Sequence, residues 1–308
     1  MLENYFEKIK QKPEEKERSG FVSPEKKLVT DRRYSQYLSN FGLPKSELKS
    51  KKILDVGSGL SEFFQKANEK FKEAGTVVVG LDPNYSMLGE NLAEFKENLK
   101  KARLSVESMH DERGRLRDQE RSYGIVKSAP NKIAGSHQEL PFKEGSFDLV
   151  LANNSVLQFK DREISRRALQ EIAKIIKESG EIRLQPVDLL WDNKKEELYM
   201  HTFEAPTEKT REHAKELGLL IDCDKKMFDI FRELEETGFN FFSAINSFGN
   251  RGLGRFVPPT PPTRFLIMRR DEKIPQAEGL NELKRISFKE SKDGFHVVST
   301  EVNKQQGR

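Results

Sequence analysis

Apolar residues in this chain gather in short runs, set between longer stretches with charge and helical spacing. Ile53-Leu54-Asp55-Val56 is followed by Gly57-Ser58-Gly59; Thr76-Val77-Val78-Val79-Gly80-Leu81 ends on Asp82; Phe147-Asp148-Leu149-Val150-Leu151-Ala152-Asn153 follows an acidic glycine turn at Glu144-Gly145. Unbroken apolar runs of about four to eight residues bounded by turn residues predict strands buried on both faces of a parallel sheet. Between them, Leu88, Leu92, Phe95 and Leu99 predict a helix with one apolar stripe from Ser86 onward. Met227 to Phe239 predicts another, stopped by Gly238, and the runs Asn240 to Asn246 and Thr263 to Met268 predict an antiparallel hairpin that closes the sheet. These runs predict an α/β, doubly wound fold whose sheet is mostly parallel with an antiparallel last strand.

The polar stretches divide the chain. Residues 1–50 form a charged, helical N-terminal flank with loops at Ser19-Gly20 and Leu43-Pro44. Residues 51–270 form the main domain, with insertions at 104–130 and 191–220; sparse apolar positions in the second predict one or two amphipathic helices. Both charge signs mix in the first insertion, as on a solvated surface. Ser247 to Pro262 is a long glycine- and proline-rich connection carrying Arg251 and Arg255 as candidate gating residues. Residues 271–308 are expected to be a polar, weakly ordered tail with one hairpin candidate near Lys292-Asp293-Gly294-Phe295.

The chemistry is concentrated after the first strand. Parallel sheets bind ligands beyond the carboxyl ends of their strands, where a glycine turn lets a ligand approach bare backbone at a helix N-terminus. Asp82 falls 23 positions after Gly59, near the spacing of an acid that grips a ribose. In a dinucleotide fingerprint a third glycine stands where this chain has Glu62, and Asp55 lies where a pyrophosphate approaches; like charges so close repel. Those acids suit S-adenosylmethionine, which has no phosphate and carries a sulfonium and an amino group.

From Asp55 onward the chain resembles the class I S-adenosylmethionine-dependent methyltransferases along most of residues 50–270. Asp55-Val56-Gly57-Ser58-Gly59-Leu60-Ser61 is similar to the family's first motif, with Ser61 in place of the last glycine; Asp82, followed by Pro83, is similar to the second. Gly135-Ser136-His137-Gln138-Glu139-Leu140-Pro141-Phe142 resembles a third, with Ser136 in place of the acid that receives the adenine amino group. Ala168 to Leu184 resembles the family's helix, tight turn and next strand, with Ser179-Gly180 in place of Pro-Gly-Gly. The resemblance implies a Rossmann-like sheet of seven strands and S-adenosyl-L-methionine as cofactor, held by Asp55, Gly57, Ser58, Gly59, Asp82, Pro83, Ser136, His137 and Asn153. It also implies that Asp31 to Leu38 folds over the cofactor as a lid, with Arg33 or Tyr34 near its carboxylate, or else forms a plain solvated flank. Asn154, Gln158, Gln185 and Trp191 follow strands four and five, where a methyl acceptor meets the cofactor.

Composition narrows the partners. Lys and Arg number 54 against 50 Asp and Glu, a net charge of +4 too slight and dispersed to announce a nucleic-acid binder. No run reaches the ~18 apolar residues of a membrane helix, and Met1-Leu2-Glu3-Asn4-Tyr5 lacks the basic-then-apolar pattern of a secretion signal. With a lone Cys223, a cytoplasmic setting is expected and an internal disulfide is excluded. No His, Cys or carboxylate cluster has metal-ligand spacing, so no metal is expected. His110 and His137 are the candidate bases should the acceptor need one, and no catalytic residue is assigned. The expected reaction is methyl transfer to an acceptor, a small molecule before a nucleic acid or protein. The alternative is a methyltransferase-like module that binds or regulates without turnover; oligomeric state is left open.

Overall fold

A computed structural model describes residues 28–30, 34–101, 105–107, 120–121, 123–129, 131–153, 155–157, 159, 161–185, 189–192, 197–201, 220–223, 225–246, 264–275, 280–292 and 294–302. In chain order these build β1 (Leu28–Thr30), α1 (Tyr34–Asn40), a 3-10 turn (Lys45–Leu48), β2 (Lys52–Val56), α2 (Phe63–Phe71) and β3 (Val77–Leu81). A second 3-10 turn (Pro83–Met87), α3 (Leu92–Lys101), β4 (Ser105–Glu107), β5 (Lys132–Ile133), β6 (Phe147–Asn153), α4 (Arg162–Ile175) and β7 (Ile176–Gln185) follow. The remainder is β8 (Leu189–Asp192), β9 (Glu197–His201), β10 (Leu220–Cys223), α5 (Lys225–Glu236), β11 (Asn240–Asn246), β12 (Arg264–Arg269), β13 (Leu280–Ser291) and β14 (Gly294–Glu301).

The main sheet runs β14-β13-β11-β12-β7-β6-β2-β3-β5. Its half from β7 to β5 is parallel, and β12 joins β7 antiparallel. The order reverses at β2, which lies between β6 and β3, so the crevice for a ligand opens at the carboxyl end of β2. Alternate residues of each strand serve opposite faces. Leu54, Val56, Val150 and Ala152 meet α4 and α5 on one side, whereas Ile53, Val78, Leu149 and Leu151 meet α1 and α2 on the other.

Four expectations need correction. The sheet has nine strands among the described residues, because the polar tail supplies β13 and β14, paired as a hairpin around residue 292. Leu280, Leu283, Ile286 and Phe288 are buried while their charged neighbours stay outward, so the average composition hid a strand. The segment from Trp191 to Leu220 was expected to be helical; its described residues are strands, and β8, β9 and β10 form a separate antiparallel sheet. The helix expected from Ser86 begins at Leu92, since Asp82 caps the 3-10 turn at Pro83 and Gly89 adopts a left-handed φ of 59°. The first insertion is not merely solvated: Arg121 reaches Glu62 at 3.0 Å, and Tyr123 packs on Phe95 and donates to the Leu88 carbonyl at 2.9 Å.

Candidate cofactor site

β2 and β3 pair in parallel with Asp55 opposite Gly80 and Val56 opposite Leu81, which brings the two strand tips level. Gly80 matters here because a Cβ on it would stand 2.9 Å from the Phe64 ring, so its absence admits α2 against the sheet. After Val56 the chain turns through Gly57 at φ +68° and Gly59 at φ +55°. A Cβ on Gly57 would lie 2.3 Å from Cβ of Ser155, whose hydroxyl donates to the Val56 carbonyl at 2.7 Å. Steric exclusion and left-handed backbone both demand glycine there.

The loop is then fastened to the second strand. Gly57 and Ser58 donate their N–H groups to the Leu81 carbonyl at 2.8 and 3.2 Å. Gly59 donates to Asp82 Oδ2 at 2.9 Å, and Asn84 donates its N–H to Oδ1 at 2.8 Å. Burial pushes the Asp82 carboxyl above the usual carboxylate range, while those N–H bonds pull it back. A carboxylate offers about four acceptor sites, so two remain for a ligand's hydroxyls. No cationic side chain among the described residues forms a salt bridge with Asp82. Ser58 and Tyr85 share a hydrogen bond of 2.6 Å beside it, and burial followed by the Asp82 charge drives the Tyr85 phenol well up.

Asp55 is fully buried and accepts from the Tyr37 hydroxyl at 2.8 Å. Tyr37 comes from α1 and stacks on Phe63 with ring centroids 4.9 Å apart, so the N-terminal flank reaches this edge of the sheet. Tyr34, expected near a cofactor carboxylate, stacks on Phe63 with Lys70 over its ring. Arg33 lies outside the described residues.

On the far side of the crevice, β5 hands the Ile133 carbonyl to the Asp82 N–H at 3.1 Å and leads into the turn at residues 136–139. Ser136 is exposed, and its hydroxyl accepts from the Gln138 N–H at 3.2 Å. His137 stacks on Phe159 at 4.6 Å; burial lowers its pKa, so the ring is neutral at pH 7. Across β2, buried Asn153 ends β6 in register with buried Gln185 at the end of β7. Oε1 of Gln185 finds no hydrogen-bond partner among the described residues.

Asp55, Gly57, Ser58, Gly59, Asp82, Pro83, Ser136, His137, Asn153 and Gln185 therefore all occupy the carboxyl edge of the parallel strands or the loops leaving it. Trp191 sits instead in β8, opposite Leu198 in the separate sheet. Asn154, Gln158, His110, Arg251 and Arg255 lie outside the described residues. Tyr37, the partner of Asp55, and Tyr85, the partner of Ser58, were missed; Tyr85, three positions after Asp82, had a sequence signal, whereas Tyr37 is joined to Asp55 only by the fold.

Glu62, at the N-terminus of α2 where a phosphate would settle, is buried and held by Lys66 at 2.5 Å and Arg121 at 3.0 Å. Ser61, standing for the missing glycine, accepts from the Phe63 N–H at 3.0 Å and so helps start α2. Residues 54–184, from β2 through β7, match the family model described as a methyltransferase domain. That segment is a methyltransferase domain. No curated protein matches this chain in sequence. Solved structures similar to it include a Pyrococcus horikoshii OT3 protein at 15% identity, covering 85% of this chain and 98% of that one, with a TM-score of 0.35. An Aquifex aeolicus S-adenosylmethionine-dependent methyltransferase shares 16% identity over 85% of this chain and 96% of that one, with a TM-score of 0.33. Magnesium protoporphyrin IX methyltransferase from Synechocystis PCC 6803, solved with bound S-adenosylmethionine, shares 12% over 76% and 77%, with a TM-score of 0.37. Among the described residues no helix is long and apolar enough to cross a membrane.

Proposed function

We propose that this methyltransferase binds S-adenosyl-L-methionine at the β2–β3 edge and methylates a small molecule. The observation that carries the reading is Asp82, a buried carboxylate locked by the Gly59 and Asn84 N–H groups with acceptor capacity to spare for a ribose diol. Gly57, Ser58, Gly59 and Pro83 are assigned to the backbone around the cofactor, and Ser136, His137 and Asn153 to its remaining contacts. Asp55 adds negative charge that favours a cationic ligand. When bound, the cofactor supplies an activated methyl group that a nucleophile held in line can take.

The chain's own task is alignment, which in well-oriented systems is worth effective molarities of roughly 10⁵ to 10⁸ M. Gln185, together with Asn154 and Gln158, is assigned to the acceptor side, where its buried Oε1 can accept a hydrogen bond from a hydroxyl or amine. Neutral amides and a dispersed net charge of +4 favour a small acceptor over nucleic acid. We take residues 51–270 with the appended β13–β14 hairpin as the catalytic unit, residues 1–50 as a flank that covers it, and the cytoplasm as its setting. The test is to incubate the protein with methyl-labelled S-adenosylmethionine and a cell extract, then separate products by ultrafiltration. A labelled species other than the donor in the filtrate supports the reading; label retained with protein or nucleic acid replaces the acceptor class; no label beyond the donor leaves a binding module.

A further inference from the structure

Arg183 lies in β7, two residues short of the cofactor edge, and is 1% exposed. A guanidinium stays charged in a protein, so its burial requires partners on every side. It donates to the carbonyls of Phe41 at 2.6 Å and Gly42 at 3.3 Å, to Glu47 Oε2 at 2.7 Å, and through Nε to Glu181. Its plane also lies over the Phe265 ring, 5.7 Å from the centroid. Phe41, Gly42 and Glu47 all belong to the stretch between α1 and β2, and the first two carbonyls are the C-terminal exit of α1, where a cation is favoured.

The same short helix carries Tyr37, whose hydroxyl donates to Asp55. One helix is thus pinned at two places, by Arg183 at its carbonyl end and by Asp55 at the tip of β2. Glu181 and Glu47 differ within this cluster. Burial raises the Glu47 carboxyl even though Arg183 opposes it, while at Glu181 burial is overcome by Arg183 and Arg269 together, leaving that carboxyl below its usual range. Arg183 thus meets Glu181 within the sheet and Glu47 in the flank.

We propose that Arg183 is a positioning residue: by clasping the carbonyl end of α1 and Glu47 it keeps Tyr37 on Asp55, so that docking of the N-terminal flank sets the affinity of the cofactor site. This deepens the cofactor reading and rests on it. The experiment is a double-mutant cycle read by isothermal titration with S-adenosylhomocysteine, using wild type, Tyr37→Phe, Arg183→Lys and the double variant. A single ammonium cannot reproduce the forked contacts of a guanidinium. Tyr37→Phe removes a charge-assisted hydrogen bond and is expected to weaken binding by about tenfold. Arg183→Lys is expected to weaken binding too, and in its background the further loss from Tyr37→Phe should shrink below about twofold. The full tenfold loss persisting in that background, or a folded Arg183→Lys protein with unchanged affinity, overturns the proposal, since a merely structural arginine would lower the melting temperature without coupling to Tyr37. Should Arg183→Lys fail to fold, Glu47→Gln takes its place in the cycle with the same two outcomes. A folded wild type that binds no S-adenosylhomocysteine overturns the cofactor reading and this inference with it, whereas binding with additive losses overturns the inference alone.

Discussion

Gly59 gives its N–H to Asp82 Oδ2 at 2.9 Å, joining the glycine turn after β2 to the acid that closes β3. The bond needs the two strand tips level, which the pairing of Val56 with Leu81 provides. It also needs a residue at position 59 that tolerates a φ of +55°. Loop and acid are one unit, so disturbing either should disturb the other.

Replacing Asp82 by Ala removes the acceptor for two backbone donors and for a ligand. Hydrogen bonds to charged groups contribute about 1.5–3 kcal/mol each in measured series. The affinity for S-adenosylmethionine should fall at least about tenfold and the melting temperature should fall with it. Isothermal titration and calorimetry check both; an unchanged dissociation constant removes Asp82 from the site.

Gly57→Ala should destabilise the fold by roughly 2 kcal/mol or more, since left-handed backbone costs a non-glycine residue about 1–2 kcal/mol and the new methyl meets Ser155 as well. Adding Ser155→Gly should recover the steric part and leave the backbone part. Denaturant unfolding of the two variants separates them, and a double variant no better than the single one contradicts the steric account.

Much of this site was legible because its signals are local. Asp55, Gly57, Gly59 and Asp82 are strand ends and turn residues whose roles follow from nearest neighbours and parallel-sheet geometry. What escaped is long-range. Tyr37 meets Asp55 across 18 positions, and Arg183 meets Phe41 across 142 positions, so neither leaves a periodic trace. Arg183 did carry a hint, being a charge between Ile182 and Leu184 in a strand expected to be buried. The tail misled for another reason: in β13 each buried apolar residue is hidden among Lys, Arg and Glu.

The tail's role in the core can be measured. Phe288 of β13 sits 5.6 Å from Phe228, 5.4 Å from Phe231 and 5.1 Å from Phe241, ring to ring. Truncating a buried Phe typically costs about 3–5 kcal/mol. Phe288→Ala should therefore lower the melting temperature by roughly 6 °C or more in a domain of this size. A melting temperature that does not move means the hairpin is an appendage.

His137 supplies a pH signature. Burial holds its ring below the ordinary value of 6.5, so the folded chain disfavours the proton that the unfolded chain accepts first. Stability from keeping the ring neutral is complete above about pH 6.5 and is lost as the pH falls from there through the depressed folded value. The difference in melting temperature between wild type and His137→Gln should thus shift against the wild type between about pH 7.5 and about pH 5. A difference that stays constant across that range places the ring in solvent.

The central claim is that the edge between β2 and β3 holds an adenosyl sulfonium and refuses a pyrophosphate. Parallel calorimetric titrations of the full chain with S-adenosylmethionine and with NAD test it most directly. Saturable binding of S-adenosylmethionine at one site per chain, with no heat from NAD, is the predicted result; saturable binding of NAD, or a folded protein silent to S-adenosylmethionine, would contradict it.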